Sequence, residues 1–248
     1  MNRNYRKWFL TPVKKTIIKY GMIKEDDRLA LGVSGGKDSS ALLYIMSLVR
    51  SQAPFPFSLQ AIFVDMGWQM DIGPLENLCA RLNIPFYVEK TKIAKIVFEL
   101  RQEKNPCSLC AKLRRGALHK AAKELGCNRV ALGHHLDDVV ETFFLNLIFS
   151  GKMDTFKPHT YLSRQRIYLI RPLVSLTQRT ISSLVCLEKL PVIKNPCPVA
   201  GVTKRSEMSQ ITDFIISRYP SFYKRFHTSL EKSGIWPLQP FVFDEPEE

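Results

Sequence analysis

Ser34-Gly35-Gly36-Lys37-Asp38-Ser39-Ser40 stands between the apolar run Leu29-Ala30-Leu31-Gly32-Val33 and the run Ala41-Leu42-Leu43-Tyr44-Ile45-Met46. A strand therefore becomes a helix through a glycine pair. Gly35 and Gly36 let the backbone approach a ligand closely, and the unpaired N–H groups of the helix's first turn face it with the positive end of the helix dipole behind them. The three serines add hydroxyls and Lys37 a mobile charge, while Asp38 offers a carboxylate for Mg²⁺ against phosphate oxygens. The spacing is not that of a Walker A loop, Gly-x-x-x-x-Gly-Lys-Ser/Thr.

A second group is Pro106-Cys107-Ser108-Leu109-Cys110 with the distant Asn195-Pro196-Cys197-Pro198. Two thiolates spaced Cys-x-x-Cys can ligate one metal centre, and a further cysteine from elsewhere in the fold can complete it. Zinc would want a fourth ligand, and no His-x₃₋₅-His or second Cys-x-x-Cys supplies one; a 4Fe-4S cluster on three cysteines leaves one iron open. A redox dithiol is the competing reading. Cys79, Cys127 and Cys186 sit in apolar contexts and read as small buried hydrophobes.

The third group is Leu132-Gly133-His134-His135-Leu136-Asp137-Asp138, again strand, glycine and helix start. Asp137 and Asp138 suit a helix N-terminus on dipole grounds alone. At the end of a strand they are also candidates to bind Mg²⁺ or move a proton. His134 and His135 beside them are either participants or packing. Lys112, Arg114 and Arg115, on a helix expected to begin after Cys110, are either a phosphate or RNA clamp or a solvated helix face.

These groups need a scaffold, and the chain provides a strand–helix rhythm. A helix opens at Thr11-Pro12, with Pro in its first turn and Gly21 past its end. Strands are expected at Leu29–Val33, Leu59–Val64, Pro85–Val88, Arg129–Leu132 and Ile167–Arg171. Helices are expected at Asp38–Leu48, Pro74–Leu82, Ala111–Leu125, Asp137–Phe149, Gln178–Leu190, Ser206–Ser217 and Ser221–Lys232, with Met153–Arg166 a loop and Pro237–Glu248 fraying. Continuous apolar strands alternating with helices imply an α/β fold with a parallel, doubly wound sheet and ligands at the carboxyl ends of the strands. Chemistry should cluster at Ser34–Ser40, Asp65 and Gly133–Asp138.

Composition sets the outer limits. At 248 residues and 45% hydrophobic content the chain can bury one α/β core with additions. A net charge of +13 favours polyanionic partners, nucleic acid first. No apolar stretch approaches the roughly 20 residues that span a bilayer, and Met1–Leu10 is too polar to open a secretory signal, so the expected location is the cytoplasm and no membrane partner is expected. There the six cysteines stay reduced.

The glycine loop resembles the pyrophosphate loop of enzymes that split ATP into AMP and pyrophosphate. Together SGGKDSS, PCSLCAKLRRGAL, LGHHLDDVVETFFLNLIFSGK and the late NPC resemble the tRNA 2-thiocytidine synthetase family over most of Tyr20–Ser229. That resemblance implies a sheet of the adenine nucleotide alpha hydrolase-like (PP-loop, HUP) type with helical additions at both ends: residues 1–24, a core at 25–200 and a C-terminal part at 201–248. It implies ATP-dependent tRNA thiolation, in which cytidine 32 is adenylated and its 2-oxo group is replaced by sulfur passed through a 4Fe-4S cluster. Ser34, Gly35, Gly36, Lys37, Asp38, Ser39, Ser40, Asp65 and Gly133 would bind ATP, Asp38, Asp137 and Asp138 would act in catalysis with Mg²⁺, and Cys107, Cys110 and Cys197 would hold the cluster. Partners would be tRNA and a cysteine desulfurase or other sulfide donor, with a homodimer one assembly open to it. The chain departs from the family where Cys197 is followed by Pro198-Val199-Ala200, with no fourth thiolate, and Gly201-Val202-Thr203-Lys204-Arg205 replaces a glutamine- and asparagine-bearing stretch. RNA-docking candidates are Arg3, Arg6, Lys7, Lys14, Lys15 and Lys19 with Tyr5, Trp8 and Tyr20 for stacking, although Trp8 and Phe9 equally suit packing of the first helix. Two other classes fit part of the pattern: another PP-loop ligase, forming lysidine or an amide, and a non-catalytic iron–sulfur nucleotide sensor.

Overall fold

Two strands of mostly apolar sequence, β1 (Arg28–Val33) and β2 (Ser58–Asp65), are buried along most of their length, as strands covered on both faces must be. The computed structural model describes residues 7–102, 106–199 and 204–237. In chain order the other elements are α1 (Lys7–Lys19), α2 (Lys37–Ser51), α3 (Gly73–Arg81), β3 (Phe86–Lys90), a π-helical segment Lys95–Leu100, α4 (Pro106–Glu124), β4 (Arg129–Ala131), α5 (Leu136–Ser150), β5 (His159–Leu162), β6 (Ile167–Ile170), α6 (Gln178–Leu187), α7 (Lys204–Arg218) and α8 (Phe222–Lys232).

The sheet runs β3-β2-β1-β4-β6-β5. Every pair is parallel except β5 with β6, an antiparallel edge hairpin turned at Arg166, where φ is +53°. The strand order reverses between β1 and β4. That switch point opens a crevice at the carboxyl ends of the strands, and the glycine loop after β1 and the Gly133–Asp138 turn after β4 lie on its two sides. One core layer packs Leu29 and Leu31 against α2, α3 and α6; the other packs Ala30, Ile62 and Val130 against α4 and the π-helical segment. At the opposite end of the strands the buried Asp27 carboxylate pairs with Arg129 and accepts from Asn128 Nδ2 at 2.8 Å, a contact remote from the crevice.

The helices at the two ends join this same core. Phe9, Leu10, Val13 and Ile17 of α1 and Phe226, Leu230 and Trp236 around α8 are buried with Leu29 and Leu31. Lys19 Nζ and Tyr20 Oη both donate to Glu231 of α8, at 2.5 and 2.7 Å. Lys19 and Tyr20 are therefore a structural latch, and the buried Tyr20 is not an RNA-stacking ring. Trp8 packs edge-on against the fully buried Phe9, with centroids 5.1 Å apart. Arg3, Tyr5 and Arg6 lie outside the described residues, as does the C-terminal tail beyond Pro237.

Several elements differ from expectation. α1 starts at Lys7, leaving Pro12 inside it, because burial of Phe9 and Leu10 extends its apolar face upstream. The expected loop 153–166 contains β5, whose residues look polar because an edge strand needs only one covered face. α6 stops at Leu187, three residues early, and Cys186 at its end is exposed rather than buried.

Candidate active site

Gly36 caps α2, and the loop closes on itself: Ser39 Oγ donates to Gly36 O at 2.8 Å. Gly35 has φ +83°, and a side chain there would meet Ile193 Cβ at 3.2 Å. The contact belongs to a strap after α6. Ile193 N–H donates to Gly35 O at 2.8 Å and Ser40 Oγ donates to Pro191 O at 2.6 Å. Ser40 is fully buried, so its hydroxyl serves the strap rather than the mouth of the loop. Gly133 has an equally specific reason to be glycine, because an added Cβ would lie 2.9 Å from Asp38 O. Bare backbone there lets the turn after β4 sit against the loop after β1. Asp65, at the carboxyl end of β2, accepts Gly67 N–H at 2.8 Å and so shapes its own turn.

These contacts gather carboxylates around one imidazole. His135, buried, has Nε2 3.6 Å from Asp38 Oδ1 and 3.5 Å from Asp138 Oδ2, with Nδ1 3.3 Å from Asp137 Oδ2. Burial alone would push this imidazole down, but Asp137, Asp138 and Asp38 together hold it above its ordinary value. The three carboxylates differ in what they have left to offer. Asp137 is used up: Oδ2 accepts Gln178 N–H at the start of α6 at 2.6 Å and Oδ1 accepts the Tyr223 hydroxyl from α8. Asp138 accepts His135 N–H at 3.0 Å and pairs with Arg205 of α7 at 3.1 Å. Asp38 keeps a buried oxygen, Oδ1, without a hydrogen-bond partner, 3.3 Å from Lys37 Nζ. A buried carboxylate oxygen left open beside a phosphate-binding loop fits a hard, oxygen-seeking cation such as Mg²⁺. Tyr223, Gln178, Arg205 and Arg171 are contributors that the motif reading did not assign. Only Arg171 carried a signal, as a charged residue closing an apolar strand.

Helix α4 begins at Pro106, a first-turn proline, so Cys107 and Cys110 lie inside the helix rather than before it. At i and i+3 they share one face. Cys107 is exposed, Cys110 and Cys197 are half-buried, and all six thiols are free. Burial pushes the Cys110 thiol up, Arg114 opposes this, and Cys197 and Cys107 both lie near enough to push it further. The three thiols thus lie near enough to interact, although among the described residues no set of three His, Cys, Asp or Glu side chains converges as a single ion requires. Three thiols suit a 4Fe-4S group, which can leave one iron open, better than zinc, which takes four ligands. The strap places the third thiol, because Cys197 follows Ile193 by one turn in which its N–H donates to Asn195 Oδ1 at 3.1 Å. Cys79 and Cys127 are buried as expected, and burial with Glu76 nearby pushes the Cys79 thiol up to about 12.

The PP-loop domain profile matches residues 6–197. The tRNA-cytidine(32) 2-sulfurtransferase of Pelobacter propionicus is 39% identical over 203 residues, which are 80% of this chain and 76% of that protein. The protein of the same name from Geobacter sulfurreducens is 36% identical over 204 residues, 81% of this chain and 78% of its own. Among solved structures, the U34-tRNA thiolase NcsA from Methanococcus maripaludis with its [4Fe-4S] cluster superimposes with a TM-score of 0.73 at 26% identity, over 90% of this chain and 77% of that one. An NMN synthetase from Francisella tularensis, 14% identical with a TM-score of 0.51 over 98% of both chains, shares the fold alone. With the profile across most of its length and these relatives above a third identical, the chain belongs to the PP-loop family, in the group of tRNA-cytidine(32) 2-sulfurtransferases.

Proposed function

We propose that this protein is an ATP-dependent tRNA sulfurtransferase that replaces the 2-oxo group of cytidine 32 by sulfur, releasing AMP and pyrophosphate. The observation that carries it is the strap: one segment, Pro191–Cys197, is hydrogen-bonded to the phosphate loop at Gly35 and Ser40 and brings the third thiol toward Cys107 and Cys110. Nucleotide site and thiol site are thus neighbours, as a two-step substitution on one base requires.

Cytidine oxygen 2 is a poor leaving group until it is esterified, so the first step is its attack on the α-phosphate of ATP, breaking the bond to pyrophosphate. The N–H groups at the start of α2, with Lys37 and the open oxygen of Asp38 through Mg²⁺, take up the charge on the departing pyrophosphate. Asp137 holds the mouth together by joining α6 and α8 to the turn after β4, and His135 balances the carboxylates around it. A sulfur nucleophile then attacks carbon 2, and AMP leaves with the original oxygen. Cys107, Cys110 and Cys197 would hold the 4Fe-4S group, which when bound supplies a Lewis-acidic iron for the incoming sulfur. That sulfur comes from a cysteine desulfurase or another sulfide donor. Lys112, Arg114 and Arg115, exposed on α4 beside the cysteines, give the tRNA backbone a cationic edge next to the crevice. Mass spectrometry of nucleosides from tRNA incubated anaerobically with protein, ATP and sulfide tests the proposal. One 2-thiocytidine per AMP is expected, and AMP release with unmodified tRNA would move the protein to another PP-loop ligase class.

A further inference from the structure

Arg171 is a buried cation that the mechanism above does not use. It lies just past β6, at the carboxyl end of the sheet, 8% exposed, and no carboxylate of the described residues lies within ion-pair distance. Its contacts instead form a frame. Nη1 donates to Lys157 O at 2.6 Å, the guanidinium lies over the Phe156 ring at 4.7 Å, and Nε donates to His134 Nδ1 at 3.3 Å. The His134 ring rests on the same phenyl group, with centroids 4.9 Å apart and planes 35° apart.

A guanidinium has donors only and keeps its proton at any physiological pH, so the His134 nitrogen facing it must be an acceptor. The single ring proton then sits on Nε2, and the tautomer is fixed by the neighbour. Nε2 has no hydrogen-bond partner among the described residues, and His134 as a whole is only half-buried. His134 directly follows Gly133, whose backbone touches that of Asp38. A nucleotide anchored by its pyrophosphate on the loop after β1 and lying along the switch-point crevice would carry its α-phosphate toward this turn.

We propose that His134 donates a hydrogen bond from Nε2 to an α-phosphate oxygen of bound ATP, and that Arg171 is the positioning residue that fixes the tautomer. The inference rests on the reading that ATP is cleaved at the α-phosphate. Charge grows on that oxygen as the base attacks, so a neutral donor already in place stabilises the transition state without reorganising. The surroundings keep it neutral. Burial and Arg171 push the His134 imidazole down to about 3, Arg205 from α7 and His135 add to this, and Asp138 opposes them.

The decisive measurement does not depend on turnover. Two-bond ¹H–¹⁵N spectra of the labelled protein should show His134 with Nε2 protonated and Nδ1 bare, unchanged from pH 5 to 8. A proton on Nδ1, or titration near the ordinary imidazole value, overturns the proposal. In turnover assays reading AMP, His134→Gln, which keeps an N–H at the Nε2 position, should retain most of kcat, and His134→Phe should lose on the order of 10²-fold with KM for ATP little changed. Equal loss in both variants refutes the donor role. Arg171→Met should lose about 10–100-fold and acquire a pH limb between 5 and 8 absent from the parent, while Arg171→Lys recovers part of it. Arg171→Met with the parent's flat profile refutes the positioning role. If tRNA proves not to be thiolated while the tautomer and the Gln–Phe difference in AMP release stand, the substrate assignment has failed and this inference has not.

Discussion

At the nucleotide end of the site, Gly35, Gly133, Ser39 and Asp137 are each held by a backbone or side-chain contact of van der Waals or hydrogen-bond length, on a sheet whose central strands are fully covered. At the thiol end, Cys107 is exposed, Cys110 and Cys197 are half-buried, and among the described residues no three ligand side chains converge on a common point. The first region is held by the chain's own contacts, whereas the second offers three thiols on two segments, which a cluster would have to draw together. Preorganisation suits phosphate, whose charge is met by fixed dipoles, and an open triangle suits a group that brings its own geometry. The difference implies that the two ends can be broken separately, except at the strap that joins them.

The largest effects should come from the thiol end. Cys107→Ala, Cys110→Ala and Cys197→Ala should each reduce 2-thiocytidine formation below detection while ATP affinity, measured by calorimetry, stays within about twofold of the parent, because no nucleotide contact is removed. Anaerobically prepared parent protein should bind four irons per cluster and each variant should lose them. Stoichiometric zinc with full activity would mean that the thiol triangle has been read wrongly.

Asp38→Asn should have the largest effect at the nucleotide end. The substitution keeps shape and removes the charge on the buried open oxygen, so Mg²⁺-dependent AMP release should fall on the order of 10²-fold with little change in the unfolding midpoint. Iron content should be unaffected. Loss of iron in this variant would show the two ends to be less independent than their geometry implies.

The contrast also explains what could be read from the chain. The strand–Gly-Gly–helix loop and the Gly133–Asp138 turn were legible because they rest on local pattern: apolar runs set the strands and glycines the close approaches. The cysteine pair was legible as chemistry but misplaced, since Pro106 starts α4 upstream of it and puts both thiols on a helix face. What could not be read is long-range. Ser40 looked like a phosphate ligand until its partner Pro191 was seen, and Tyr223 reaches Asp137 from α8, far along the chain. Lys19 and Tyr20 looked like RNA contacts because nothing near them in sequence points to Glu231. A hydroxyl or a lysine has too many partners for its role to follow from its neighbours alone.

The strap is the one place where a single change should affect both ends. Ser40→Ala leaves Pro191 O without its buried donor, which costs about 1–3 kcal/mol. Because the same segment touches Gly35 and leads to Cys197, ATP affinity and iron retention should fall together, by a few-fold each. If only one falls, the strap supports that end alone. A weaker test concerns tRNA. Replacing Arg114 and Arg115 with Gln should lower the log–log salt slope of tRNA affinity by about one unit per lost contact, with ATP affinity unchanged. An unchanged slope would place the tRNA on another face.

The smallest effect lies away from both ends, where α1 is latched to α8. Burial would raise the Glu231 carboxyl, but the Lys19 ammonium and the Tyr20 hydroxyl outweigh it and hold it below the usual carboxylate value. A carboxyl depressed in the folded state contributes stability that is fully present above its unfolded value and is lost as the pH falls through the folded one. Urea unfolding of the parent and of Glu231→Gln should therefore differ by roughly 1 kcal/mol from pH 7 down to about 5, and the difference should shrink toward zero below the ordinary carboxylate range. His227, 3.7 Å from Glu231 and held below its ordinary value by burial, gives the parent a separate acid loss that begins nearer neutrality, so the comparison must be made against the variant at each pH rather than along one curve. ATP affinity and iron content should be the same in both proteins at pH 7. A difference that persists unchanged at pH 3 would mean that Glu231 acts by packing rather than charge, and the latch would then be another part of the core.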